Sequence, residues 1–160
     1  MVAPYPYDAV SGRVQLRSIA TEIVGHYAWI ARWSDEIGKD TDLDLKKLAQ
    51  LAFVHCRLFR ERIQAFLPIA TDSPLIPALR RAFDSMGVEW RTRAAMIADL
   101  SAIYQECANL WLYVRDNVPA ARSFATRTYD ASGAEIEQPA KIAKDPAIAT
   151  EVAKIRALFT

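Results

Sequence analysis

The chain has few of the residues from which recognisable sites are usually built. Its 160 residues include only five glycines, two cysteines and two histidines. The glycines, at positions 12, 25, 38, 87 and 133, form neither a phosphate-cradling loop nor a dinucleotide fingerprint, because both need several glycines at close, fixed spacing. No serine sits in a nucleophile elbow. The paired Glu-x-x-His motifs of di-iron bundles are missing, and Glu22 precedes His26 by four residues rather than three. Cys56 and Cys107 are too few for a disulfide scaffold, and the chain is large enough to do without one. Both fall in helical patterns and read as reduced, buried, small hydrophobes, with a disulfide between them as the alternative.

An excess of one charge sign is also lacking. Twenty basic residues face nineteen acidic ones, a formal net charge of +1. That balance offers no electrostatic reason to expect nucleic acid or an anionic membrane as the partner. Arginines are dense between Arg57 and Arg93, but Glu61, Asp72, Asp84 and Glu89 are interleaved. Arg80 with Asp84, and Glu89 with Arg93, are spaced to pair on a helix surface, so this stretch reads as a solvated face. No apolar run approaches membrane-spanning length, and the opening "MVAPYPYD" lacks the basic-then-apolar order of a signal peptide.

What is present is a helical pattern over most of the chain, in a composition that is 52% hydrophobic and 24% charged. Residues 1–10 read as an extended arm in which Pro4 and Pro6 alternate with Tyr5 and Tyr7. A first helix is expected from Ser11 to Ile37, with Leu16, Ile19, Ile23, His26, Ile30, Trp33 and Ile37 along one seam and Gly38 as a C-terminal cap. A second is expected after Thr41, read as its N-cap, with Asp42 and Asp44 in the first turn. Its two apolar stripes, one through Leu48, Cys56, Phe59 and Ile63 and one through Leu51, Val54 and Leu58, place it centrally in a bundle. Ser73 followed by Pro74 signals a third start. From there Leu79, Phe83, Met86, Trp90, Ile97, Tyr104, Cys107, Trp111 and Val114 keep close to one helical phase to about Asn117. Gly87 interrupts that run, and with Gly87 at C′, Val88 would touch Phe83 in a Schellman ending. The expectation is a long helix kinked or broken near Gly87. Unbroken, it would span about 65 Å against about 40 Å for each of the first two, leaving the Tyr104–Leu112 end in need of cover.

Beyond Pro119 the period changes from that of a helix to that of a strand. In "SFATRTYDASGAEIEQP", Phe124, Thr126 and Thr128 alternate with Arg127 and Tyr129, Asp130 opens a turn, and Gly133 supplies a left-handed position. This reads as a β-hairpin over 123–139. Asp145 and Pro146 then open a last helix with Ile148, Val152, Ile155 and Phe159 as its stripe. The expected organisation is an arm over 1–10, a helical bundle over 11–118, and a hairpin with a short helix over 119–160. The fold class is mainly α: an antiparallel bundle of three or four long helices, a C-terminal β-hairpin and a short final helix.

If the first two helices form an antiparallel pair turning near Lys39–Asp40, His26 and His55 fall in one layer with Cys56 adjacent. That makes a His–His–Cys metal site geometrically conceivable. No carboxylate or fourth ligand clearly joins them, so they read as core or edge histidines with no functional metal. Cys56 and His55, as helix neighbours, point about 100° apart and are no catalytic dyad. Most of the aromatics fall on core stripes, but Trp29 and Tyr113 lie off them and are better placed for a protein interface than for a cofactor. The hairpin is too small to bury a face alone, so Tyr129 and Ile136 are read as docking residues, with Tyr5 and Tyr7 serving the same end from the other terminus.

The order of bundle, "TRTYDASGAEIE" hairpin, and final helix ending "AKIRALF" resembles small helical proteins encoded in the particle (tail, neck and capsid) gene clusters of tailed bacteriophages. The resemblance lies mainly in Phe124 to Phe159. It implies a virion-associated structural role, with synthesis in the host cytoplasm, and it carries no catalytic residues. The functional expectation is a non-enzymatic structural or assembly protein with no cofactor, working through contacts with itself and other particle components. Neither a membrane nor a nucleic acid is its expected partner. The alternative is a cytoplasmic helical adaptor or regulator that binds nucleic acid or a small ligand.

Overall fold

The computed structural model describes residues 11–66, 73–122, 124, 131–134 and 141–159. They are mainly helical, with one small two-stranded antiparallel sheet. Helix α1 runs from Ser11 to Lys39. The second long helix comprises α2 (Leu45–Ala49), a π-helical segment (Gln50–Cys56) and α3 (Arg57–Phe66). Its pairings show it running antiparallel to α1: Lys47 meets Glu36, His55 meets His26, and Arg62 meets Glu22. Helices α4 (Leu75–Asp84), α5 (Arg93–Asn117), α6 (Pro119–Arg122) and α7 (Pro146–Ala157) complete the helical set. Strand β1 (Leu43–Asp44) pairs with β2 (Lys141–Ile142), with Leu43 opposite Ile142.

The main expected stripes form a single core, but Val54 and Leu58 of the second helix's second stripe are only partly buried and stay outside it. Ile19, Ile23, Ile30 and Ile37 of α1 are buried with Leu48, Leu51, Cys56, Phe59 and Ile63 of the second helix. Phe83 of α4, Cys107 and Val114 of α5, and Ile148, Val152 and Ile155 of α7 join them. Phe59 and Phe83 are both fully buried. Met86, expected on the α4 stripe, is instead 46% exposed, because the helix has ended before it.

The long third helix is broken at Gly87. Gly87 has a φ of +80° and donates to the Asp84 carbonyl, while Val88 donates to Phe83, each at 3.0 Å. These two bonds are those of a Schellman ending. The chain then restarts at Thr92, whose hydroxyl accepts from the Ala95 N–H. The break removes the supposed overhang. Leu110 is fully buried, and α5 is covered by the π segment, α3, α6 and α7 of its own chain. Phe124 also packs on the core from its own chain.

Three expected details are corrected. The second helix is capped by Asp44 rather than Thr41, with the Asp44 carboxylate accepting from the Lys46 and Lys47 N–H groups. Pairing of Leu43–Asp44 with β2 holds those residues extended and delays the helix start. Gly38 is no cap and lies in the last turn of α1, where a Cβ would come within 2.9 Å of Arg156 Nη1. The α1 carbonyl end is closed by a distant side chain: Lys144 Nζ donates to Ile37 O at 3.0 Å and to Asp40 O at 2.6 Å. Finally, the Arg80 guanidinium donates to the Trp90 carbonyl rather than pairing with Asp84. Ser73 does cap α4, accepting from the Leu75 N–H, and Asp145 caps α7 with Pro146 at its first position. Gly133 has the left-handed φ of +87° expected of the turn. The flanking strands of that hairpin lie outside the described residues.

Candidate functional site

The antiparallel pairing of α1 with the second helix brings the two histidines together. His26 Nδ1 and His55 Nδ1 lie 3.0 Å apart, so one ring must carry its hydrogen on Nδ1 and the other must accept it. The backbone around His55 is unusual. Residues Gln50–Cys56 form a π-helix, a wider turn that appears mostly in short pieces and frequently at functional sites. The segment sits at mid-helix, where α1 and α5 both contact it.

An aromatic stack rises from this pair to the surface. Trp29 lies flat on His55, with ring centres 5.6 Å apart and planes at 11°. Trp33, one turn along α1, stacks on Trp29 at 5.5 Å and 19°. The Arg32 guanidinium stands 5.1 Å from the Trp29 ring and 5.7 Å from the Trp33 ring, within cation–π range of both. Arg32 also pairs with Glu36, so both charge signs border the aromatic face. Trp29 remains 40% exposed although held on two sides, whereas Trp33 is half-buried against the core.

Both histidines are held neutral. Burial is the main cause for His26, opposed by the Glu22 carboxylate and aided by Arg62. Burial, followed by the facing His26 ring, brings the His55 pKa down to about 4. Cys56 turns away from the histidines into the core, where it meets Cys107 of α5. Burial, together with a hydrogen bond to the Cys107 thiol, pushes the Cys56 thiol well above its ordinary pKa and leaves it a poor nucleophile. His26 and His55 therefore meet as expected, but Cys56 does not join them. Among the described residues no three His, Cys, Asp or Glu side chains converge as a metal-holding group.

Of the residues singled out for interfaces, Trp29 is on the surface as expected. Tyr113 is half-buried and packs on the core. Tyr5, Tyr7, Tyr129 and Ile136 lie outside the described residues. Two features escaped sequence reasoning. One is the π segment. The other is a cation–aromatic ladder in which Arg60 stands over Tyr104 and Trp111, and Arg115 over the other reach of Trp111, at 5.1 to 5.7 Å. The seven-residue spacing of Tyr104 and Trp111 and the four-residue spacing of Trp111 and Arg115 were the available signals. No family model matches the chain, and neither a curated protein nor a solved structure matches it. No described helix is long and apolar enough to cross a membrane.

Proposed function

We propose that the chain is a non-enzymatic structural or assembly protein acting through protein contacts, and that the Trp29 face of α1 takes a second copy of the chain. The observation that carries this is the 40% exposure of a tryptophan already fixed by stacking on Trp33 and His55. A large aromatic ring held in place loses little entropy on docking, and Trp with Arg is the usual composition of an interface anchor. Arg32 and Glu36 beside it supply both charge signs, as a self-complementary twofold contact needs. The half-buried, neutral histidines and the raised Cys56 thiol serve this reading as support for the face rather than as reactive groups.

The setting we propose is a tailed-bacteriophage particle, on the strength of the resemblance carried by Phe124 to Phe159. The finer fold reading belongs to the same proposal. A hairpin over 123–139, with Tyr129 and Ile136 on its docking side, is an assembly element appended to an antiparallel bundle.

The test needs no particle: the isolated chain and its Trp29→Ser variant are compared by light scattering across a concentration series. The expected result is a defined oligomer for the parent and a shift toward monomer for the variant, with unchanged helical circular dichroism. A parent chain that stays monomeric at the highest concentration, or an oligomer indifferent to Trp29→Ser, overturns the assignment of this face.

A further inference from the structure

A groove of about 700 Å³ runs between α1 and α4, on a part of α1 separate from the Trp29 face. Its floor is apolar, formed by Leu16, Ala20 and Val24 of α1 with Ala78 and Ala82 of α4, and Met86 closes one end. Met86 is the most exposed large hydrophobic side chain among the described residues. The small alanines leave the space open, and two arginines, Arg17 and Arg81, stand at its rim. Neither has a carboxylate partner among the described residues, whereas Arg62, Lys47 and Arg156 elsewhere on the helices do. The hydroxyls in the lining donate inward, Thr21 to Arg17 O and Ser85 to Ala82 O, so their two oxygens are the side-chain acceptors the lining offers.

This groove therefore suits an occupant of a particular kind. It offers apolar surface and two cations but few acceptors, so an ordinary extended peptide would bury backbone N–H groups without partners. A segment rich in proline avoids that cost because proline has no N–H, and its polyproline form is already extended. Tyrosines bring apolar bodies with polar tips, and a carboxylate would answer the arginines. The chain itself contains such a segment, Val2-Ala-Pro-Tyr-Pro-Tyr-Asp8, outside the described residues.

We propose that residues 2–8 of this chain are the occupant of the α1–α4 groove. The lengths agree. Only Ala9 and Val10 separate Asp8 from Ser11, where α1 starts, and Leu16 lies about 7.5 Å further along the axis. The α1 wall from Leu16 to Val24 rises about 12 Å, and seven residues of polyproline-like chain span about 22 Å. A segment folded back along the groove brings Asp8 toward Arg17 and lays the two Pro-Tyr pairs over the alanines. This goes beyond the self-association proposed for the Trp29 face, and either stands if the other fails.

The test uses the chain lacking residues 2–8 and a fluorescein-labelled, otherwise unmodified peptide of residues 2–8, read by anisotropy. The expected result is saturable binding to the shortened chain. Arg17→Glu, on an exposed side chain, should weaken it by about fivefold, the scale of one rim ion pair. Ala82→Trp, which fills the floor, should abolish it, with circular dichroism confirming that the helices remain. The full chain should bind the same peptide about tenfold or more weakly, since its own segment competes at high effective concentration. If that competition grows with protein concentration, the segment reaches the groove of a second copy; if it does not, the segment lies on its own chain. Absence of saturable binding to the shortened chain, or binding that Arg17→Glu and Ala82→Trp both leave unchanged, overturns the proposal.

Discussion

The His26–His55 contact holds one hydrogen between two like nitrogens, which ties it to neutral rings. With His55 held down to about pKa 4 and His26 also lowered, the unfolded chain binds more protons than the folded one between the ordinary histidine value and about pH 4. Stability then rises with pH across that window. It should be fully present above about pH 6.5, decline as pH falls toward about 4, and lose nothing more from this pair below that. Allowing for the half-exposed rings, we expect a loss of about 1–2 kcal/mol, measured as denaturant midpoints at pH 7 and pH 4.5. The difference between His26→Gln/His55→Gln and the parent should shrink as pH is lowered. A parallel pH profile for that double variant would mean that the pair does not titrate as described. Core residues carry larger, pH-independent terms. Phe59→Ala and Phe83→Ala each remove a fully buried ring and should cost about 3–5 kcal/mol, read from denaturant unfolding at neutral pH.

Among the secondary-structure elements, what could be read from the sequence was what is decided locally. Gly87 ends α4 because the C′ position needs a positive φ and Val88 can reach back to Phe83, all within six residues. Ser73–Pro74 and Asp145–Pro146 open helices by equally local chemistry. Two features of the second helix were not legible, for different reasons. Asp44 displaces Thr41 as the cap because β2, nearly a hundred residues away, pairs with Leu43–Asp44, and no local pattern records such a partner. The π segment leaves the apolar stripe intact, since Ala52, Cys56 and Phe59 are buried whether one turn carries four residues or five. The Trp29 stack shows the same division: its exposure followed from its place off the seam, but its seat on His55 depended on how two helices pack. Two element-scale outcomes follow from these contacts. Gly87→Ala should destabilise by about 1–2 kcal/mol, the cost of a left-handed turn for a residue with a Cβ, without loss of helix content by circular dichroism. Lys144→Ala removes the cation that closes the α1 carbonyl end and should cost about 1.5–3 kcal/mol by thermal or denaturant unfolding. A Lys144→Ala loss below about 0.5 kcal/mol would mean that water replaces the lysine at those carbonyls.

On the scale of the whole molecule, the C-terminal third is tied to the bundle at two places, one on each side of residues 125–140. The chain leaves α5 through α6, which packs on α2, and Phe124 lies under Lys46 at a ring-to-cation distance of 6.0 Å. It returns at Lys141–Ile142, paired with Leu43–Asp44 immediately before α2. The next residues bring Lys144 to the end of α1, and α7 lies against α1 and α5, with Arg156 held 2.9 Å from Asp35. Both ends of the segment 125–140 thus sit beside the start of α2, and the contacts named above, through α6, Phe124, β2, Lys144 and α7, hold the C-terminal third from either side of it. Replacing residues 125–139 with a short Gly/Ser bridge should therefore leave the bundle folded. Closing a shorter loop changes the entropic cost only slowly with length. The expected change in stability is within about 1 kcal/mol, or about 2–4 °C in Tm. If the hairpin is the assembly element we propose, the same replacement and the single change Tyr129→Ala should both reduce self-association or incorporation into a particle, measured by light scattering and by co-sedimentation. If instead both variants lower Tm by more than about 6 °C and leave association untouched, residues 125–139 are a lid on the chain's own core. Their role in assembly would then fall, while the Trp29 face would stand or fall on its own variant.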